Sequence, residues 1–262
     1  MTIQPLVTAI AALPLWAASC AWAADAGNAS RDAAYTEIEA GYGRESLTNN
    51  TPDWQSPYLE LHHRFRNRHA ASVGLRETRR FGLADTEVYG ALYYPLGENW
   101  NTVFEGNVSP THKVLPKHSA SAQLQRLLPG GWAIGAGLRQ NSYTLTDSRV
   151  ATLTAERYWS DFRAAYTVFS GKPDGGSSAP AHRFQFNYYY GDRDSVGLSY
   201  TSGREVENVG AGVLRTTAVR NATLSGRHWF ARDWALSYDL SAHRQGSLYR
   251  REGFRLGFRY RF

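Results

Sequence analysis

Apolar and polar residues alternate one by one along most of this chain. His182, Phe184, Phe186, Tyr188 and Tyr190 are separated by Arg183, Gln185, Asn187 and Tyr189. Trp234, Leu236, Tyr238, Leu240 and Ala242 alternate with Ala235, Ser237, Asp239, Ser241 and His243. The last nine residues repeat the pattern, with Phe254, Leu256, Phe258, Tyr260 and Phe262 set against Arg255, Gly257, Arg259 and Arg261. A period of two places successive side chains on opposite faces of an extended strand, so each segment carries one greasy and one polar face. The pattern predicts fourteen strands: 35–42, 55–65, 69–79, 87–96, 100–109, 118–128, 132–143, 149–159, 162–171, 181–190, 195–204, 215–230, 234–245 and 250–262. Merging the weaker segments would leave twelve. In 149–159 both faces are mixed, with Ala151, Leu153, Ala155 and Arg157 opposed to Val150, Thr152, Thr154, Glu156 and Tyr158. In 215–230, His228 and Trp229 do not both follow one face assignment.

Segments near ten residues match the ~9–11 residues of a tilted membrane strand. The connections add a second signal, because they alternate in length. Tight turns fall at 66–68, 97–99, 129–131, 160–161, 191–194 and 231–233, and longer links include 43–54, 80–86, 110–117, 172–180 and 205–214. Short turns on one rim and longer loops on the other describe an all-β, transmembrane, up-and-down antiparallel β-barrel with both termini in the periplasm and an even strand number. Trp100, Trp132, Trp159 and Trp234 each adjoin a tight turn. Indole rings favour the membrane–water boundary, so these four are the expected interfacial girdle. The aromatic carboxyl terminus, with Phe258, Tyr260 and Phe262, is similar to the assembly signal of bacterial outer-membrane barrels.

The amino terminus points to the same compartment. Residues 3–23 are uncharged and rich in Ala, Leu and Val, and they end in Ala21-Trp22-Ala23, a small-x-small cleavage pattern. The expectation is a secretory leader over 1–23, a short periplasmic segment over 24–34 and a barrel over 35–262. No Lys or Arg precedes the apolar stretch, a departure from the usual leader. Ala17-Ala18-Ser19-Cys20 offers a lipoprotein-type alternative, but the usual Leu three residues before the Cys is missing. Cys20 is the sole cysteine, so a processed chain has no thiol for a disulfide, a metal or a nucleophile. The net charge of +6 would suit a nucleic-acid binder. Export to the envelope and the scatter of the basic residues argue against that, and no nucleic acid is expected.

Several stretches resemble the YaiO family of outer-membrane β-barrel proteins: Glu77-Thr-Arg-Arg-Phe-Gly-Leu-Ala-Asp-Thr-Glu87, Gly130-Gly-Trp-Ala-Ile-Gly-Ala-Gly-Leu-Arg139, Tyr188-Tyr-Tyr-Gly-Asp192 and Leu224-Ser-Gly-Arg-His-Trp229. The ending Leu256-Gly-Phe-Arg-Tyr-Arg-Phe262 fits as well, although it is generic to barrels. The resemblance spans about 35–262. It implies an outer-membrane location in a Gram-negative bacterium and a link, in relatives, to exopolysaccharide production or export. It carries over no catalytic residues.

The polar faces define the expected lumen. Arg64, Arg76, Arg139, Arg183, Arg227, Arg255 and Arg259 lie on them, with Arg163 and Arg261. Glu37, Glu39, Glu60, Glu87 and Glu105 balance these, with Glu156 and Asp239, and Tyr89, Tyr93 and Tyr189 add aromatic surface, with Tyr58 and Tyr143. Such a wall reads either as Arg–carboxylate pairs bracing a filled interior or as a narrow passage for an anionic or sugar-like solute. The expected role is a pore or an accessory component in export of polysaccharide or another polar solute. A structural barrel that recognises partners through loops 43–54 and 205–214 is the alternative. No histidine beyond the leader has a Ser two residues after it, so the same-face pair of a barrel hydrolase is missing; His243 with Ser241 is the nearest substitute. No enzyme activity, cofactor or metal is expected. Outer-membrane lipid and the barrel-assembly machinery are the expected partners, with polysaccharide or export-machinery components as further candidates. A spanning barrel is expected to extract only with detergent and to shift its gel mobility on heating; release from membranes without detergent would refute it.

Overall fold

The computed structural model describes residues 8–9, 34–48, 51–208 and 214–262. Apart from β1 (Thr8–Ala9), the expected leader and the segment to 33 lie outside the described residues. The barrel strands are β2 (Tyr35–Leu47), β3 (Trp54–Arg64), β4 (Ala70–Arg80), β5 (Leu83–Pro95), β6 (Trp100–Val108), β7 (His118–Leu128), β8 (Trp132–Ser142), β9 (Asp147–Trp159), β10 (Phe162–Pro173), β11 (Ala179–Tyr190), β12 (Asp194–Asn208), β13 (Leu214–Trp229), β14 (Trp234–Gln245) and β15 (Tyr249–Arg261). Each pairs antiparallel with its sequence neighbours, and β15 pairs back onto β2, so fourteen strands close into a ring. Fourteen is therefore the strand number, not twelve. β1 adds outside this ring, pairing Thr8 with Asn208 and Ala9 with Glu207.

Alternation sorts the side chains into two environments. Leu59, Leu75, Leu138, Leu153, Leu198 and Phe258 point outward and stay between 46% and 69% exposed, a ring of apolar surface suited only to lipid. Glu37, Glu39, Glu87 and Arg163 point inward and are at most 4% exposed. The mixed segment 149–159 resolves with Val150 and Glu156 inside and Leu153 outside. Trp100, Trp132, Trp159 and Trp234 all face outward next to turns, at the rim that carries both chain ends. Trp54 and Trp229 face inward, and His228 faces out towards the Tyr190 hydroxyl.

The expected contrast between long and short connections is largely corrected. On the rim away from the termini, β2 runs on to Leu47, β5 starts at Leu83, β10 runs to Pro173, and β12 and β13 extend to Asn208 and back from Leu214. The links 43–54, 80–86, 172–180 and 205–214 shrink accordingly. Charged and small residues such as Glu45, Ser46, Asp85, Thr86, Lys172 and Glu205 break the apolar rhythm at these strand ends, although the backbone ladder continues. Link 80–86 reduces to Phe81-Gly82, both with positive φ (54° and 76°), the geometry of a two-residue hairpin. Phe81 tolerates this with its ring edge-on to Trp54 at 5.2 Å. Only 109–117 remains a long loop among the described residues. Replacing mid-strand Leu153 with Arg is expected to destabilise the barrel in lipid by about 2–4 kcal/mol, measured by denaturant unfolding; an unchanged midpoint would place Leu153 away from lipid.

Candidate functional site

Inside the ring, the polar faces of neighbouring strands meet in register. At the closure of β15 on β2, Arg259 stands opposite Glu39 and Arg261 opposite Glu37. Arg259 donates from Nε to Glu39 at 2.7 Å and from Nη1 to Glu37 at 2.8 Å, while Arg261 donates from Nε to the other Glu37 oxygen at 2.7 Å. Glu39 also accepts from the Tyr58 and Ser237 hydroxyls at 2.6 and 2.8 Å. Each carboxylate thus has several charge-assisted or hydroxyl partners, the condition under which buried charges are tolerated.

Further pairs climb the wall. Arg76 binds Glu87 at 2.8 Å, and Glu87 also accepts from Asn107. Arg139 pairs with Glu105, which Ser121 also contacts. Arg163 donates to Glu156 at 2.8 Å and to Asn187 at 3.1 Å, and Arg255 donates to Asp239 at 2.6 Å. Tyr89 donates to Glu60 at 3.2 Å. The Tyr58 and Tyr89 rings lie across Gly41 and Gly74, their direct cross-strand neighbours, where a Cβ would overlap them. Glycine there lets a phenol reach sideways to a carboxylate on the wall. Arg183 donates to Thr201 at 3.2 Å and packs over Phe169, and Arg227 donates to the Arg193 carbonyl at 3.3 Å. Arg64, Tyr93 and Tyr189 face inward near the terminal rim, with Tyr93 beside Arg64 and Arg68. His243 engages Gln245 at 2.7 Å rather than Ser241.

Both mouths are narrowed. At the terminal rim Trp229 carries Arg193 over its ring at 3.9 Å and Arg261 at 4.7 Å. At the other rim Trp54 lies between Arg80 and Arg251, at 4.4 and 4.5 Å. Beside it, loop 109–117 folds into the mouth with Val114 and Leu115 buried. The Asp85 carboxylate pins this loop by accepting the backbone N–H groups of Lys113, Val114 and Leu115 at 2.9, 2.6 and 2.9 Å. Under the loop is a cavity of about 270 Å³ with a mixed polar and apolar lining, including Arg76, Arg139, Arg183, Tyr143 and Tyr249. A second cavity of about 100 Å³ adjoins Glu105, Glu156 and Arg163. Trp54 Nε1, Arg251 Nε and Asn221 Oδ1, on three residues lining the larger cavity, are buried without a hydrogen-bond partner.

The reading of the sequence missed Trp54, Arg80, Asp85, Arg193 and Arg251. Arg251 continues the odd-numbered face of Arg255, Arg259 and Arg261 within the expected strand 250–262 and was passed over there. Asp85 continues that of Glu87, and a strand start placed at 87 hid it.

A closed antiparallel ring with a lipid-facing belt and a polar, charged interior defines an outer-membrane β-barrel. The chain belongs to the YaiO membrane beta barrel family, whose domain matches residues 35–208. No curated protein matches it. Similar solved structures include an anion-selective porin from Comamonas acidovorans (10% identity, 88% of this chain and 99% of that one, TM-score 0.50). A bacterial polysaccharide outer membrane secretin is similar too (9% identity, 89% and 100%, TM-score 0.52). So is the Acinetobacter baumannii outer membrane protein Omp33 (11% identity, 87% and 99%, TM-score 0.50). At such identities the likeness concerns the fold.

Truncating Glu37 and Glu39 together to Ala strands Arg259 and Arg261 in the wall. Losing one partner of a buried pair costs about 3–5 kcal/mol, so the temperature of the heat-induced gel shift is expected to fall; an unchanged shift temperature would mean the cluster does not hold the seam.

Proposed function

We propose that this barrel is a narrow, loop-constricted pore for small polar solutes with a preference for anions. The observation that carries this reading is the cavity beneath loop 109–117, where Trp54 Nε1, Arg251 Nε and Asn221 Oδ1 lack protein partners. Two buried donors and one acceptor suit a hydroxyl-bearing anion or its water shell, because unpaired buried polar groups cost about 1–3 kcal/mol each. Arg76, Arg80, Arg139, Arg183, Arg251 and Arg255 outnumber Glu45, Glu87, Glu105, Glu205 and Asp239 around the same cavity, a slight positive balance that favours an anion. Three hydrogen bonds to a single carboxylate, Asp85, hold the middle of the loop, while Ser109, Thr111 and Lys117 bond to the wall at its ends, which suits a constriction that can move.

In this reading residues 1–23 direct export, both termini face the periplasm, and Phe258, Tyr260 and Phe262 guide insertion by the barrel-assembly machinery. The barrel performs no catalysis and takes no cofactor. Polysaccharide export is the candidate pathway; the family resemblance and the fold likeness to a polysaccharide secretin support it. The Arg–carboxylate pairs along the wall favour a second reading, a structural barrel with a braced and filled interior.

Planar-bilayer recording separates the two. The pore is expected to give small, anion-selective single-channel currents, and Asp85→Ala, which frees the loop, is expected to enlarge them. A lack of current above leak from both proteins would establish the filled barrel.

A further inference from the structure

Outward-facing arginines form an unusual row on one side of the barrel. Arg220 on β13 stands directly opposite Arg244 on β14, and Arg244 stands directly opposite Arg250 on β15. All three are exposed. Directly opposed residues in an antiparallel pair sit only about 4.5–5.5 Å apart, and like charges there are destabilising. None of the ion pairs among the described residues includes any of the three. Glu252 is the nearby outward carboxylate and is not bridged to them; Arg244 Nε makes one 3.3 Å contact, to the Gly246 carbonyl. The positive stripe continues around this side through Arg204 and through Lys172, which stands opposite Arg149.

The height of the row matters as much as its charge. On β13 and β14 the outward positions run Leu224, Ala222, Arg220 and Leu240, Ala242, Arg244, and on β15 Phe254, Glu252, Arg250. At about 3.3 Å per residue, the arginines lie two positions beyond the last apolar contact, where lipid tails give way to headgroups. This is the rim away from the termini. On the flanking strands β2 and β4, outward arginines are neutralised within the protein, with Arg44 on Asp53 at 2.6 Å and Arg79 on Glu77 at 2.5 Å. The unneutralised charge is therefore a local feature.

We propose that Arg220, Arg244 and Arg250 form a docking row for phosphate groups of lipid headgroups in the outer leaflet. Guanidinium groups bind phosphate oxygens through paired, charge-assisted hydrogen bonds, and long arginine stems reach from the apolar belt to the headgroup plane. Anionic phosphate between neighbouring arginines removes the repulsion that the cross-strand register imposes. The choice of leaflet rests on the orientation given above, with termini in the periplasm. Lipid retention is read without any current, so failure of the pore reading leaves this one standing.

The test uses the full chain refolded in neutral detergent and native mass spectrometry. The probe is a diphosphorylated, lipid A-type glycolipid; its dephosphorylated form and inorganic phosphate serve as separate arms. The wild-type protein is expected to retain the phosphorylated glycolipid and not the dephosphorylated one. R220Q/R244Q/R250Q is expected to lose about a hundredfold in affinity, since each arginine near an anionic surface contributes roughly fivefold. R126Q/R157Q, on outward arginines of the terminal rim, is expected to keep it. Equal retention by the wild type and the triple variant, an equal loss in R126Q/R157Q, or displacement of the glycolipid by equimolar inorganic phosphate would each overturn the proposal. Where the triple variant shows no heat-modifiable band, R244Q alone decides: an affinity drop of about fivefold supports the row, and unchanged affinity overturns it.

Discussion

Within a membrane, a sheet has no water to satisfy its edges, so a spanning sheet must close on itself. Here that requirement falls on one pairing, β15 on β2, which joins residues more than two hundred positions apart in the chain. The register of that pairing sets Arg259 against Glu39 and Arg261 against Glu37. Shifting it by one residue would turn the arginines to lipid and the phenylalanines to the lumen. The charged cluster and the lipid-facing aromatics thus enforce the same register from opposite sides of the wall.

The interior follows from how charges survive away from bulk water. Isolated buried ions are costly, and each inward carboxylate discussed above sits beside an arginine, a hydroxyl or an amide on a nearby strand or, for Asp85, on loop 109–117. Small residues make this geometry fit: Gly41 and Gly74 leave room for Tyr58 and Tyr89 to cross to Glu39 and Glu60. Where the lattice of partners lapses, around Trp54, Asn221 and Arg251, the structure opens into the cavity beneath loop 109–117. Bracing and vacancy are complementary parts of one wall, and their boundary is the inward loop 109–117.

The two rims differ in chemistry more than in loop length. The terminal rim carries the outward tryptophans and keeps its turns short. The other rim extends its strands past the apolar belt, folds one loop inward and sets positive charge outside on one side. Solute contact on the inside and headgroup contact on the outside can therefore occur at the same level of the barrel.

The sequence by itself determined the strands and the face of nearly every residue, while leaving twelve open beside fourteen, because a period of two is a local property that lipid and lumen reinforce along the whole chain. Arg76, Glu87, Arg139 and Glu105 were assignable to the interior for that reason. Strand ends at the rim away from the termini were not, because charged and small residues interrupt the alternation there while the hydrogen-bond ladder persists. The partner of each inward charge, the capture of loop 109–117 by Asp85 and the row of Arg220, Arg244 and Arg250 were decided by tertiary structure alone. The charge partners and the arginine row depend on register, which turn geometry sets hairpin by hairpin and ring closure sets between β15 and β2.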